Sequence, residues 1–159
     1  MIRTATNADW ETILKIYIRA REYMRQTGNP NQWKDDSPSL YVLREDIQKK
    51  QLFVLEDSDG IQGVFALIPG EDPTYRLIEG RWLNNAPYAA IHRVASAGRK
   101  TGVLEVCLQY CQDNYRNLRI DTHEDNKIMQ HLLIKFGFLR CGIIYLENGD
   151  SRIAYQRTR

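Results

Sequence analysis

Chemistry is concentrated in one stretch of the 159-residue chain, Arg93-Val94-Ala95-Ser96-Ala97-Gly98-Arg99-Lys100-Thr101-Gly102-Val103-Leu104. Within it, Ser96 to Gly102 holds two glycines, two basic residues and two hydroxyls and separates an apolar run from an amphipathic one. A strand that enters a helix across such a loop makes an anion cradle. The first N–H groups of a helix have no partner inside it, and the helix dipole adds partial positive charge, so a phosphate answers both. Gly98 and Gly102 let the backbone come close, Arg99 and Lys100 bring charge, and Ser96 and Thr101 bring hydroxyl donors. The spacing excludes G-x-x-x-x-G-K-[ST], because Val103-Leu104 follows Gly102, and G-x-G-x-x-G is absent. Taken alone, the loop fits a phosphate site or a plain turn in which Gly98 only permits a tight bend.

The elements around the loop must aim it. Ile2 to Ala5 reads as a first strand, and Thr6 with Asp9 three residues on has capping-box spacing, opening a helix from Asn7 to Thr27 that Gly28 stops. Ser37-Pro38 starts a second helix with Leu40, Leu43 and Ile47 on one face, ending near Lys50. Leu52–Glu56 and Ile61–Ile68 form a hairpin about Asp57-Ser58-Asp59-Gly60. From Pro69 to Pro87 glycines and prolines break the pattern, which reads as a partly extended surface segment. Ala89–Ala95 is the strand before the loop. Gly102 to Tyr115 follows as a helix with Val103, Val106, Cys107, Tyr110 and Cys111 inward. Leu118–Thr122 (strand), Asp125–Phe136 (helix closed by Gly137), Phe138–Leu146 and Arg152–Gln156 (strands) complete the chain. The expected class is α/β (α+β): a mixed, mostly antiparallel, splayed central sheet of about six or seven strands flanked by about four helices.

Length and composition bound the reading. Residues 1–159 are expected to form one domain, long enough to bury about two-thirds of the surface its unfolded chain would expose. Hydrophobic residues make up 43% and charged ones 26%, as in ordinary folded proteins. A net charge of +2 with mixed signs gives no field to attract nucleic acid. No apolar run is long enough to cross a bilayer and the first residues lack a signal-peptide stretch, so a cytoplasmic protein without a membrane partner is expected. Three cysteines fit reduced thiols. Cys107 and Cys111 would share a helix face, but no further ligand completes a metal site, and none is expected.

Arg99-x-x-Gly102-x-Leu104 after Val94-Ala95 resembles the [QR]-x-x-G-x-[GA] coenzyme-binding motif of the GNAT acetyltransferase superfamily, with Leu104 where the motif usually has Gly or Ala. Leu118 to Asn126 resembles that family's next strand and its coenzyme-side asparagine, and Phe136-Gly137-Phe138 its "GF" bend. The resemblance covers nearly the whole chain. It implies a strand that bulges at Val94 and splays from the next, opening a cleft for the pantetheine arm of acetyl-CoA, the acyl donor. It also implies that main-chain groups of Val94 and Ala95 face the thioester, that Ser96 and Arg99 through Leu104 (Arg99, Lys100, Thr101, Gly102, Val103, Leu104) hold the pyrophosphate, and that Asn126 contacts the coenzyme from across the cleft.

Family chemistry is direct attack of an amine on the thioester, which needs a base, an oxyanion donor and an acid for the thiolate. A main-chain N–H at Val94 or Ala95, freed by a bulge, suits the oxyanion. For the base, His92 and His123 stand near the strand ends where open α/β sheets gather ligands; equally, His92 could be a hydrogen-bonded core residue and His123 a helix cap. Many relatives carry the acid as a tyrosine four residues before the "GF" glycine. Leu133 holds that place here, leaving Tyr145 as a candidate that could as well be packing. Trp33, Tyr75 and Trp82 are aromatics in loops and candidates for acceptor binding, and Glu71 and Asp72 could attract a cation.

The sequence thus points to an N-acetyltransferase that moves an acetyl group from acetyl-CoA to a primary amine of a small molecule or peptide, acting as monomer or homodimer. The alternatives are an acyl-CoA-binding module with little turnover and a general binder of nucleotides or phosphometabolites.

Overall fold

The computed structural model describes residues 1–34 and 37–159. The chain opens with β1 (Ile2–Thr4), after which Asp9 accepts the Thr6 N–H at 2.8 Å and so closes the expected capping box. Asp9 also takes both ends of the Arg3 guanidinium, at 2.8 and 2.9 Å. A 3-10 turn at Asn7–Asp9 leads into α1 (Trp10–Gln26), whose inner face is Ile13, Ile16, Tyr17 and Ala20. The second helix, α2 (Leu40–Gln48), starts later than the sequence suggests. Its cap is Ser39, whose hydroxyl accepts the Val42 N–H at 3.2 Å, rather than Ser37, so Leu40 lies exposed while Leu43 and Ile47 face inward.

The hairpin β2 (Leu52–Asp57) and β3 (Gly60–Pro69) forms as expected. The segment read as a surface stretch proves to be structural. It holds a 3-10 turn at Pro73–Tyr75 and the short edge strand β4 (Glu79–Gly80), and Tyr75 is 1% exposed, packed with Ala90, Ile144 and Ala154. Turn residues hide such a segment from a periodicity search because its burial rests on single aromatic anchors. Then follow β5 (Ala89–Ser96), α3 (Val103–Asn114), β6 (Leu118–Thr122), α4 (Lys127–Lys135), β7 (Leu139–Tyr145) and β8 (Ser151–Arg157). On α3 the inner face is Val103, Cys107, Leu108 and Cys111. Val106, expected inward, is exposed because a helix that places 103, 107 and 111 inside turns 106 outward. Burial pushes the Cys107 thiol up to about 12, the signature of a packing residue.

Among the described residues the strands make one open eight-stranded sheet, ordered β1-β2-β3-β5-β6-β8-β7-β4. All neighbours are antiparallel except β5 and β6. Alternation along the strands separates two faces. Phe65, Ile91, Leu118 and Phe138 pack with α3 and α4, while Val54, Val64, Ala66 and Ala95 pack with α1 and α2.

One irregularity organises the centre. The register sets Ala66 opposite His92 and Val64 opposite Ala95, so Arg93 and Val94 share the place across from Phe65 and form a β-bulge. Arg93 has a positive φ of 54°, unusual for a side chain of that size. Two contacts hold it there. Its carbonyl accepts the buried Tyr17 hydroxyl at 2.7 Å, and its guanidinium forks onto the buried Asp46 at 2.8 and 3.1 Å. Asp46 is further held by the Gln51 amide at 2.8 Å. The Asp46→Ala variant is expected to lose about 1–3 kcal/mol, seen as a lower urea midpoint with unchanged slope. A midpoint equal to the parent's would mean that the bulge keeps its shape without the ion pair.

Candidate active site

Below the bulge β5 and β6 run together, pairing in parallel from Ala89 with Leu118 to Ile91 with Ile120. Past Ile91 they have no further pairs. An extra residue on β5 turns that strand away from its partner, and a cleft of about 680 Å³ opens between them. His92, Arg93 and Val94 line one wall, Asp121, Thr122 and Asn126 the other, and Trp33, Asp72 and Arg152 lie around its rim. This is the splay that the resemblance implies.

His92 and Asp72 meet in the cleft, with Nε2 of the ring 2.7 Å from the carboxylate. Burial of Asp72 opposes its ionisation, but the hydrogen bond and charge of His92 and two donors from Thr74 outweigh this and hold the carboxyl at about 2. An ionised Asp72 accepts, so Nε2 carries the proton and Nδ1 of a neutral ring has a free lone pair. Asp72 is itself fixed, its N–H donating to the Tyr88 hydroxyl at 2.7 Å. The sequence offered Glu71 and Asp72 together as acidic loop residues. Only Asp72 lines this cleft, whereas Glu71 pairs with Arg76 on the surface.

Across the cleft Asp121 accepts the Tyr75 hydroxyl at 2.7 Å. Burial, with Asp121 beside it, drives the Tyr75 pKa well up, so Tyr75 is a fixed donor behind the wall and not a lining residue. Trp82 sits further back, donating to the Tyr75 carbonyl and lying with Tyr88 about the Arg119 guanidinium in a separate hollow. Of the three aromatics singled out from sequence, Trp33 alone faces the cleft, with its ring against Tyr17 at 5.6 Å.

A residue not foreseen ties the rim together. Gln32 Oε1 lies within hydrogen-bond distance of donors on Asn29, Thr122, His123 and Asn126, at 3.0–3.2 Å. It anchors the loop after α1 to the ends of β6 and α4. Its neighbour Trp33 was the visible signal; a glutamine in a polar loop carries none of its own. Asn126 caps α4 by accepting the Met129 N–H at 3.0 Å. His123 turns inward on its own loop, Nδ1 accepting the Asp125 N–H at 3.0 Å, and does not line the cleft. Tyr145 lies at the sheet edge, its hydroxyl donating to Glu79 at 2.8 Å, which raises its pKa and keeps it away from the bulge. Leu133 is wholly buried in the core under α3 and α4.

The loop after β5 has the shape expected of an anion cradle, with its side chains disposed otherwise. Gly98 (φ 79°) and Gly102 (φ 75°) are left-handed, and a Cβ at Gly98 would run into the Arg19 guanidinium. Gly102 caps α3 with no side chain on the first N–H groups, those of Val103, Leu104 and Glu105. Ser96 Oγ accepts the Gly98 N–H at 3.0 Å and shapes the bend, while Thr101 is exposed. Arg99 and Lys100, expected to add charge at the cradle, turn back onto the hairpin. Arg99 donates to the Ile61 carbonyl at 2.9 Å, and Lys100 bridges Asp57 and Asp59 at 2.6 and 2.7 Å. What the loop can offer an anion is therefore backbone N–H groups and the helix dipole. Among the described residues no cluster of ligating side chains could hold a metal ion.

No family model matches the chain, and no curated protein matches it by sequence. Solved structures do match. An acetyltransferase of the GNAT family from Streptococcus agalactiae is 31% identical, with a TM-score of 0.90 over 100% of this chain and 95% of that one. At 16% identity a GNAT-family acetyltransferase from Listeria monocytogenes shares the fold, with a TM-score of 0.73 over 100% and 94%. So does a chain of the NatC complex bound to Gag peptide and CoA, at 14% identity and a TM-score of 0.63 over 100% and 98%.

The space above Gly102 is open, since a Cβ there meets nothing within 4 Å. In Gly102→Val any loss of affinity for coenzyme A therefore reflects backbone strain of about 1–2 kcal/mol or the filled cradle, not a clash within the protein. Calorimetric titration with coenzyme A is expected to show binding weakened about tenfold or more. An unchanged affinity would put the phosphate site elsewhere.

Proposed function

The chain belongs to the GNAT family of acetyltransferases, and from that premise we propose that it moves an acetyl group from acetyl-CoA to a primary amine by direct attack. The observation that carries the reading is the His92–Asp72 pair in the splay between β5 and β6, on the strand that runs on through the glycine bend into the uncapped N-terminus of α3. The pyrophosphate would rest on the N–H groups of Gly102, Val103 and Leu104 and the pantetheine along Val94 and Ala95, with Asn126 opposite. The bulge at Arg93–Val94 supports a main-chain N–H of Val94 or Ala95 as the donor to the developing oxyanion, since a bulged residue leaves the ladder.

In this reading the acceptor enters from the α1–α2 side, past Trp33. His92 Nδ1 takes a proton from the ammonium, and the neutral nitrogen attacks the thioester carbon. That attack forms the C–N bond and the oxyanion; collapse of the tetrahedral species re-forms the C=O bond and breaks the C–S bond, and the second proton on nitrogen passes to solvent. The thiolate takes its proton from the His92 imidazolium or from solvent in the open cleft. Asp72 holds the ring in the tautomer that leaves Nδ1 free and stabilises the imidazolium. His123 and Tyr145 carry no step, because their bonds direct them elsewhere.

One observation favours a second reading, an acyl-CoA-binding module with little turnover. Leu133 fills the place of the usual acid tyrosine and is sealed in the core.

Thiol release from acetyl-CoA across a panel of amines separates the two. Amine-dependent release is expected, reduced about 10²–10⁴-fold in kcat by His92→Gln and less by Asp72→Asn, with coenzyme affinity retained in both. Tight coenzyme binding with no release for any amine would leave the binding module.

A further inference from the structure

The cleft contains a charge that this chemistry does not use. Arg152, at the start of β8, is 5% exposed and lines the cleft beside Asp121 and Glu147. The other side chains of this kind buried as deeply among the described residues are two carboxylates, each paired with an arginine, and one arginine stacked on aromatic rings. Asp9 is forked by Arg3, Asp46 is forked by Arg93, and Arg119 lies over the rings of Trp82 and Tyr88 at 4.1 and 4.0 Å. Among the described residues Arg152 donates to two main-chain carbonyls alone, those of Ser151 and Gln32, each at 2.8 Å. Among the described residues no carboxylate stands within ion-pair distance of it, although Asp121 and Asp150 are near enough for their charges to act on it.

A guanidinium has five N–H donors, so three remain here, the Nε group among them. The Nε group is not sealed away. Among the described residues the buried side-chain atoms without a partner are Asn29 Oδ1, Gln62 Oε1 and Arg119 Nε, and no atom of Arg152 is one of them. Nε, the one nitrogen of the group without a partner, therefore reaches open space, and the residue lines this cleft as well as a smaller hollow beside Lys127 and Arg140. Burying a guanidinium without a counter-ion is costly, and the cost is recovered when an anion docks on it. The two carbonyl bonds fix the fork in place, which is how an arginine reads a planar carboxylate.

The geometry points to Arg152 as the receptor for a carboxylate on the acceptor, which makes the acceptor an amine of amino-acid type. Its ammonium lies toward Asp121 and His92 and its carboxylate on the Arg152 fork. The alternation of β8 supports this, for Ala154, two residues on, is paired with Asp121 and so puts Arg152 on the same face of the sheet as that carboxylate. This assignment rests on the amine-acetylation reading, yet it fails separately from it.

The test compares free amino acids with their carboxamides as acceptors for the intact protein. In the wild type kcat/KM is expected to favour the free acids at least about tenfold, as a charge-assisted fork implies. Arg152→Gln should reduce that ratio to near one without changing KM for acetyl-CoA, and Arg152→Lys, which keeps the charge but not the fork, should fall between. Equal use of acids and amides by the wild type, or an acid preference that survives in Arg152→Gln, overturns the assignment. The wild-type comparison and the Lys variant decide it even if the Gln variant does not fold. If no amine is acetylated, calorimetric titration of the same pairs into the coenzyme A complex decides. Acid-selective binding lost with Arg152 supports the carboxylate receptor although acetyl transfer has failed, and no acid-selective binding overturns both.

Discussion

Everything functional in this molecule depends on keeping Arg93 and Val94 out of the sheet ladder. A strand paired on both sides would have no reason to open, and a left-handed arginine is strained unless its surroundings determine it. Tyr17 from α1 and Asp46 from α2 supply that determination, one through the Arg93 carbonyl and one through its side chain. The first two helices therefore do more than cover a face. They hold the bulge from behind, and the bulge parts β5 from β6.

The parting stands on the strand that joins two unlike pieces of chemistry. At the start of α3 the backbone has left-handed glycines at the bend and a helix start with no side-chain cap, the features of the proposed phosphate site. On the α1–α2 side the cleft has side-chain chemistry: an aspartate-held histidine, a second carboxylate supported by Tyr75, an indole, and an arginine without a counter-ion. Gln32 and Arg152 join the loop after α1 to the strands, so the rim of the cleft is tied to the sheet rather than left as a loose loop. A carboxylate held near 2 by its neighbours stays ionised throughout the physiological range, so Asp72 is a permanent partner for the ring it orients.

How much of this was readable beforehand depended on the scale of the signal. Strand and helix periods, the Thr6–Asp9 box and the glycine bends are local patterns, and they led to nearly every element and to the glycine bend before α3. The start of α2 was missed because Ser37 and Ser39 both look like caps, and only the hydroxyl contact to Val42 distinguishes them. Tyr75 was legible as an aromatic worth noticing but not as a buried anchor, since its partners come from β5, β7 and β8. Lys100 and Arg99 misled for a related reason. Their type suggested phosphate binding, while the hairpin carboxylates and the Ile61 carbonyl that take them lie some forty residues away. Asp46, Gln32 and Arg152 are ordinary polar residues until the fold brings them to the cleft, so no spacing marks them.

A structure of the protein with coenzyme A bound tests the account most directly. It should show the pyrophosphate on the N–H groups that begin α3, the pantetheine running past Val94 between β5 and β6, and the thiol within reach of His92. Pyrophosphate bound elsewhere, or a thiol on the far side of β5 from His92, would contradict it.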